Sequence, residues 1–444
     1  MNAPASPTSF ATRRTFIKSS AVAGGTLASA VHFPHVANAA AAGDKIRVGW
    51  VGCGGRGTGA ANQTLRADSN LEMWAMGDVF GDKIDSGLAS LQEQFKDDPK
   101  KINVAQERKF TGLDAFQKVL NSGIDVVLLT TSPGFRPQHI RAAVEAGKHI
   151  FCEKPMAVDG PGVRSVMESI KLAKQKNLAI VDGFVWRWTT ANRDAYKKIH
   201  DGGLGDITAV YSSYYTGAVD RYPKWNRTNT KTDLEWQIRR WYYFTWLSGD
   251  HIVEQAVHSI DKMMWTMKDE PPESVVCTGG RQVRPGEPGG EYGNIYDHFA
   301  AEYKWPNNVK GYHFCRQFDR CANANTDTVF GTKGVYEGES GSKRHVITGE
   351  NRWRWNGDKT QNGYQTEHDE LYASIRAGKP INTGDRMIKT TLAAIMARMA
   401  AYTGKEITWE MALNSKEDLF PKDIHWDMKL PVAPVARPGQ TPFI

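Results

Sequence analysis

The stretch KIRVGWVGCGGRGTGAANQTL (45–65) restricts the possible folds of this chain more than any other segment. An apolar run of strand length leads directly into Gly52, Gly54, Gly55 and Gly57, and then into a segment with helical character. Glycines at that spacing permit a tight turn between strand and helix, and they leave the backbone bare. The following residues repeat the pattern. Strand-like runs at 71–79, 124–133 and 149–155 alternate with helical segments, including 136–147, and the alternation continues to about residue 188. Strands alternating with helices predict a doubly wound α/β domain on a parallel sheet.

At 444 residues the chain exceeds one ordinary core, so two domains are expected. Beyond about residue 207 the texture changes. ITAVYSSYYTG (207–217) and YDHFAAEYKWPNNVKGYHFCRQF (296–318) alternate like strands with one covered face, which predicts an antiparallel sheet domain. The expected divisions are 1–39, 40–165, 166–424 and an extended Pro-rich tail, 425–444, with a long helix at 384–403 available to pack back on the first domain. The net charge is +7, of which Arg13, Arg14 and Lys18 supply three without any acid before residue 40. The remaining +4 is too mild and dispersed for a nucleic-acid surface. No run of eighteen apolar residues exists, so no membrane span is expected. The five cysteines show no metal-ligand spacing and read as buried apolar residues, with Cys315–Cys321 a disulfide candidate.

The N-terminal segment reads as an export signal. TRRTFIK carries a twin arginine, AVAGGTLASAV is weakly apolar, and ANA is a small-residue cleavage site that places the cut after Ala39. Periplasmic localisation follows as an expectation.

The glycine turn, set between strand and helix, points to a dinucleotide whose pyrophosphate sits at the helix N-terminus. Asp78 ends the second strand about 26 residues after Gly52, near the separation of a ribose-binding acid. That carboxylate would repel a 2′-phosphate, which favours NAD over NADP; Arg56, inside the turn, is the one feature favouring the reverse. Thr130, Thr131, Pro133, His139 and Glu153 complete the expected cofactor set. Lys154, in CEKPMA at the end of the fourth strand, stands where catalytic groups gather in open α/β sheets.

With GKHIFCEKPMA and the later helix bearing His258, these features resemble the glucose–fructose oxidoreductase, inositol dehydrogenase and rhizopine-catabolism (Gfo/Idh/MocA) family. The resemblance implies a Rossmann domain followed by an α/β domain with an open, mainly antiparallel sheet, nicotinamide-dependent oxidation of a sugar or cyclitol hydroxyl, Lys154 as catalytic lysine, a functional pair at Glu254 and His258, and a homo-oligomer. This sequence departs from the family pattern in having Glu254 where Asp is usual, and in adding His251.

On one continuous helix over 251–265, apolar residues fill an arc of about 140° and His251, Glu254, His258 and Asp261 share the opposite side, within about 120°. His258 is then the expected base, with Lys154 stabilising the reacting oxygen and Glu254 orienting the imidazole or holding a neighbouring hydroxyl. A metal held by His251, Glu254 and His258 is the competing reading, although the H-E-x-x-H spacing of zinc helices is absent. Trp186, Arg187, Tyr214, Tyr215, Arg239, Arg240, Trp241 and Tyr242, together with His251 and Asp261, are candidates for a sugar subsite. Two other functions use the same residues: glycoside cleavage through transient oxidation, and sugar binding without catalysis. Export adds one constraint. A periplasmic NAD must be tightly held and regenerated in place by a second sugar or carbonyl.

Overall fold

A computed structural model describes residues 44–219, 224–284, 292–341, 344–357 and 362–444. The export signal expected at 1–39 lies outside them, as does part of the 218–246 insertion.

The first sheet is built from β1 (Ile46–Val51), β2 (Leu71–Asp78), β3 (Lys109–Thr111), β4 (Val126–Leu129), β5 (His149–Cys152) and β6 (Ile180–Asp182), in spatial order β3-β2-β1-β4-β5-β6. Every pairing is parallel. The strand order reverses between β1 and β4, which opens a crevice at their carboxyl ends. Helices α1 (Gly55–Ala67), α2 (Gly81–Gln94), α3 (Ala115–Leu120), α4 (Arg136–Glu145) and α5 (Gly160–Gln175) cover the two faces. Burial on both faces explains why β1, β4 and β5 read as nearly continuous apolar runs. The sheet takes in β6, beyond the boundary that the sequence suggested at residue 165.

After α6 (Thr190–Lys198) comes the second sheet, of nine strands. These are β7 (Ile207–Thr216), β8 (Ser274–Gly280), β9 (His298–Lys304), β10 (Lys310–Gln317), β11 (Thr326–Gly331), β12 (Gly334–Glu339), β13 (His345–Gly349), β14 (Trp353–Arg354) and β15 (Ile407–Thr408), in the order β14-β13-β12-β11-β7-β10-β9-β8-β15. The β7–β10 pair is parallel and the other pairs are antiparallel. Strict in–out alternation along β10 marks one covered face.

Between β7 and β8 lie α7 (Asp233–Arg239), α8 (Thr245–Ser248), α9 (His251–Glu254) and α10 (Val257–Thr266). The chain then returns to the first sheet. In α11 (Gly363–Arg376), Leu371, Tyr372 and Ile375 join its core beside α1. The helix α12 (Gly384–Thr403) coincides with the expected 384–403 helix and packs against both α5 and β8, so it ties the two sheets together; α13 (Trp409–Asn414) follows. Residues 425–444 contain no helix or strand, as the proline content suggested. No helix among the described residues is long and apolar enough to cross a membrane.

Two local expectations fail. The helix over 251–265 is broken at Gln255–Ala256 into α9 and α10, so a single rotation of 100° per residue does not hold across it. Its polar side also avoids solvent, because the second sheet and α12 enclose the segment and bury His251, Asp261 and Lys262. Cys315 and Cys321 are both free, the first buried and the second exposed.

Candidate active site

The glycine turn occupies the crevice at the β1/β4 reversal. Gly52 has φ +95°, and a Cβ there would lie 2.6 Å from the Thr130 backbone. A Cβ on Gly57 would meet Gly52 O at 2.2 Å, so a side chain at either position is excluded. Added Cβ atoms at Gly54 and Gly55 would meet nothing within 4 Å. Those two therefore form a bare floor at the start of α1, where unpaired N–H groups favour a pyrophosphate. Thr130 Oγ1 donates to Gly52 O at 2.7 Å and braces the turn from β4.

Asp78 closes one end. Its carboxylate accepts from Cys53 N at 2.7 Å and from Phe80 N at 2.9 Å. Burial raises its pKa, and the two N–H donors oppose that rise. A cavity of about 230 Å³ there is lined by Asp78, Lys83, Thr130, Thr131, Ser132 and Arg239, among others. Arg56 is absent from this end, so it does not argue for a 2′-phosphate. Its Nε lies 2.7 Å from Glu153 Oε1, and its guanidinium lies 4.5 Å from the Tyr364 ring, at the opposite end of the crevice.

That opposite end is a cavity of about 370 Å³, lined by Gly54, Gly55, Arg56, Gly57, Glu153 and Lys154 from the first domain and by Trp186, Tyr214, Trp241, Tyr242, Glu254, Gln255 and His258 from later in the chain. Lys154 Nζ donates to Glu254 Oε1 at 2.9 Å and also to the Glu254 carbonyl. The break in the helix frees that carbonyl. In a continuous helix it would accept from His258 N–H, which here bonds Gln255 O at 3.3 Å. An ammonium has three N–H groups, so one remains for a ligand oxygen. Glu254 therefore holds Lys154, where the sequence suggested that it orients the His258 ring. His258 Nδ1 is buried without a partner, and its ring lies 5.1 Å from that of Trp186. Burial, followed by the charges of Lys154, Lys262 and Arg56, holds the imidazole pKa well below the usual 6.5, so the ring is neutral at pH 7.

Several expected site residues are elsewhere. Arg187 is buried and chelates Asp261, with Nε–Oδ2 at 2.8 Å, and Asp269; Thr390 also donates to Asp261 at 3.0 Å. Burial alone would lower the Arg187 pKa, but the two carboxylates outweigh it and keep the guanidinium charged. These bonds tie α10 to the 185–188 turn through Arg187 and to α12 through Thr390, and Arg187 does not line the cavity. His251 is fully buried against Phe299, with Nδ1 3.3 Å from Tyr296 O. Arg240 is buried beside the Tyr243 ring, and Arg239 belongs to the Asp78 end. Pro133 is buried at the start of a 3₁₀ turn, and the crevice wall beside it is Ser132. His139 stacks on Phe116 and Phe135 and meets Thr131 Oγ1 at 3.2 Å, so it supports the wall from behind. Its pKa is pushed down to about 3, first by burial and then by Arg136. Tyr215 points away from Tyr214 because successive strand residues face opposite sides. Among the described residues no three His, Cys, Asp or Glu side chains are placed to hold a metal, so His251, Glu254 and His258 do not form one site.

Four residues that line the crevice were not among the site residues expected from the sequence: Ser132, Arg136, Gln255 and Tyr364. Gln255 accepts from Tyr214 OH at 2.8 Å, and the helix break turns it inward. Tyr364 arrives from α11, far along the chain, and nothing local marks it.

A parallel sheet with this turn, joined to an antiparallel sheet domain that completes the crevice, defines a two-domain dinucleotide-binding protein. Two family models agree: "Oxidoreductase family, NAD-binding Rossmann fold" over residues 46–184 and "GFO/IDH/MocA C-terminal domain" over 192–337. The chain belongs to the Gfo/Idh/MocA oxidoreductase family, and its first domain is an NAD-binding Rossmann fold. It is 26% identical over 225 residues to inositol 2-dehydrogenase 3 of Saccharopolyspora erythraea, covering 51% of this chain and 54% of that protein. It thus spans about half the length of that curated relative. Its fold resembles that of aldose-aldose oxidoreductase from Caulobacter crescentus complexed with glycerol (TM-score 0.63, 19% identity, 82% of this chain and 100% of that one). It also resembles levoglucosan dehydrogenase in complex with NADH and levoglucosan (TM-score 0.64, 16% identity, 82% and 99%).

Proposed function

We propose that the protein is an exported oxidoreductase that oxidises a hydroxyl of a sugar or cyclitol with a tightly held NAD. One observation carries this reading: Lys154, two residues beyond β5, and His258 from α10 line the same cavity, beside the glycine turn. When bound, the nicotinamide supplies the hydride acceptor. Gly54 and Gly55 would hold the pyrophosphate and Asp78 the adenosine ribose. His258, neutral and buried, takes the hydroxyl proton onto its imidazole. Lys154 Nζ turns its third N–H to the same oxygen and stabilises the developing negative charge. Glu254 keeps the ammonium aimed by holding its other two N–H groups. The flat faces of Trp186 and Tyr214 suit the apolar faces of a sugar ring.

The test begins with mass spectrometry of the folded chain for bound nicotinamide. A screen of sugars and cyclitols for cofactor reduction follows, with a second sugar or carbonyl supplied as reoxidant. Lys154→Ala should lower kcat by about 10²–10⁴-fold. Full turnover by that variant on every active substrate refutes the mechanism.

Export through the twin-arginine route is part of this reading and is supported by the order of motifs in 1–39. Replacing both Arg13 and Arg14 by Lys should leave the protein in the cytoplasmic fraction. A homo-oligomer is also proposed. The uncovered face of the second sheet exposes Val276 and Phe330 and carries the Tyr211–Phe314 ring pair. Phe330→Glu should reduce the mass found by light scattering if that face is the interface.

A further inference from the structure

The Asp78 end of the crevice is not left open, as it would be in an isolated first domain. Ile238, Arg239 and Trp241, from the insertion of the second domain, line the same cavity as Asp78 and Lys83. Arg239 reaches across to the first turn of α2, where its two terminal nitrogens lie 3.3 and 3.2 Å from the Asp82 carboxylate oxygens. Its guanidinium lies 3.7 Å from the Phe80 ring and 3.9 Å from the Trp225 ring, and its Nε donates to Glu235 at 2.9 Å.

The C-terminal tail holds this bridge from behind. Gln237 Nε2 donates to Leu430 O at 2.7 Å, and Leu430 N donates to Asp233 Oδ2 at 3.3 Å. Trp426 packs 6.1 Å from Phe80, and Met428, Leu430 and Val432 join the cluster around Trp236 and Ile238. The crossing therefore runs from α2 through α7 to the tail, over the place where an adenosine would lie.

We propose that α7 and tail residues 425–432 form a latch, closed by Arg239 and Asp82, that governs how fast a bound dinucleotide leaves. This inference rests on the NAD-dependent reading above and names the residues that hold the cofactor. The Asp82 side chain is 53% exposed, so the ion pair adds little to folding. Its effect falls on the exit rate, because the ligand cannot leave past α7 while the bridge is closed.

The test loads the full chain with NADH and follows its release by fluorescence after dilution into excess NAD. Asp82→Asn should speed release by about tenfold or more with a melting temperature close to that of the parent; Arg239→Ala, which also loses the Glu235 bond and the Phe80 and Trp225 ring contacts, should speed release at least as much and melt somewhat lower. The double variant should release no faster than Arg239→Ala, since that change already removes the contact Asp82 makes. Raised salt should speed release from the parent and not from Arg239→Ala. If Arg239→Ala does not fold, Asp82→Asn carries the test. Parental release rates in folded variants overturn the latch alone. A parent chain that binds neither NAD nor NADH removes the functional reading, and the latch with it.

Discussion

At the scale of residues, the site depends on which groups keep a charge once buried. Lys154 is held beside Glu254, with both side chains less than a tenth exposed. Removing one partner of such a pair leaves an uncompensated charge, so Glu254→Leu should destabilise the fold by about 3–5 kcal/mol. Glu254→Gln should cost less, since the amide oxygen still accepts; denaturant melts of the two variants check this order. His258 is the opposite case, kept neutral by burial and by neighbouring cations. Its proton-binding limb should therefore lie well below pH 6.5. Lys154→Ala removes one of those cations, so the His258 ring should titrate at higher pH in that variant, as read by NMR. An unchanged or lower value would show that the two groups do not interact.

At the scale of elements, the glycine turn separates two kinds of glycine. A methyl group at Gly57 collides with Gly52 O, whereas one at Gly54 enters open space. Gly57→Ala should lose about 1–3 kcal/mol of stability through overpacking. Gly54→Ala should melt like the parent yet bind NAD more weakly, because its methyl stands where the pyrophosphate approaches the backbone. Calorimetry for both quantities distinguishes the two effects, and equal behaviour of the variants contradicts this division. The break after Glu254 matters in the same way. A continuous helix would occupy the carbonyl that Lys154 uses, so the lysine's position depends on a defect in a regular element.

At the scale of the whole molecule, several buried histidines are held neutral. His139 and His313 are each pushed down to about 3, and His149 to about 4, with burial the leading cause in all three. In the unfolded chain each titrates near its ordinary value of about 6.5. The folded form thus binds fewer protons below that pH, and the contribution of each is full above pH 6.5 and is lost as pH falls towards its folded value. His313 lies in the second sheet, with Nδ1 2.8 Å from Ser212 Oγ, and away from the crevice. His313→Gln should therefore reduce the stability lost between pH 6.5 and 5 by about 2 kcal/mol relative to the parent. Urea melts at the two pH values give the difference, and equal losses in both proteins would contradict it.

The sequence by itself determined the two-sheet architecture and the glycine turn, and it singled out Asp78 and Lys154 as crevice candidates, with His258 added by the family resemblance. The architecture and the turn each depend on a local pattern: continuous apolar runs for doubly covered strands, alternation for singly covered ones, and glycines where backbone must come close. Lys154 was legible because the end of a parallel strand fixes where its next residues lie. Tertiary structure alone decided which polar side chains face the crevice. His251 and Asp261 share a helical side with His258 on paper, but a two-residue break and burial on all sides send them to Tyr296 and Arg187. Tyr364 and the Arg239–Asp82 crossing depend on segments that meet only after the chain has folded back on itself. Periodicity reports how a segment divides between apolar and polar sides. Which neighbour meets the polar side is set by the packing of distant elements, and local spacing carries no record of it.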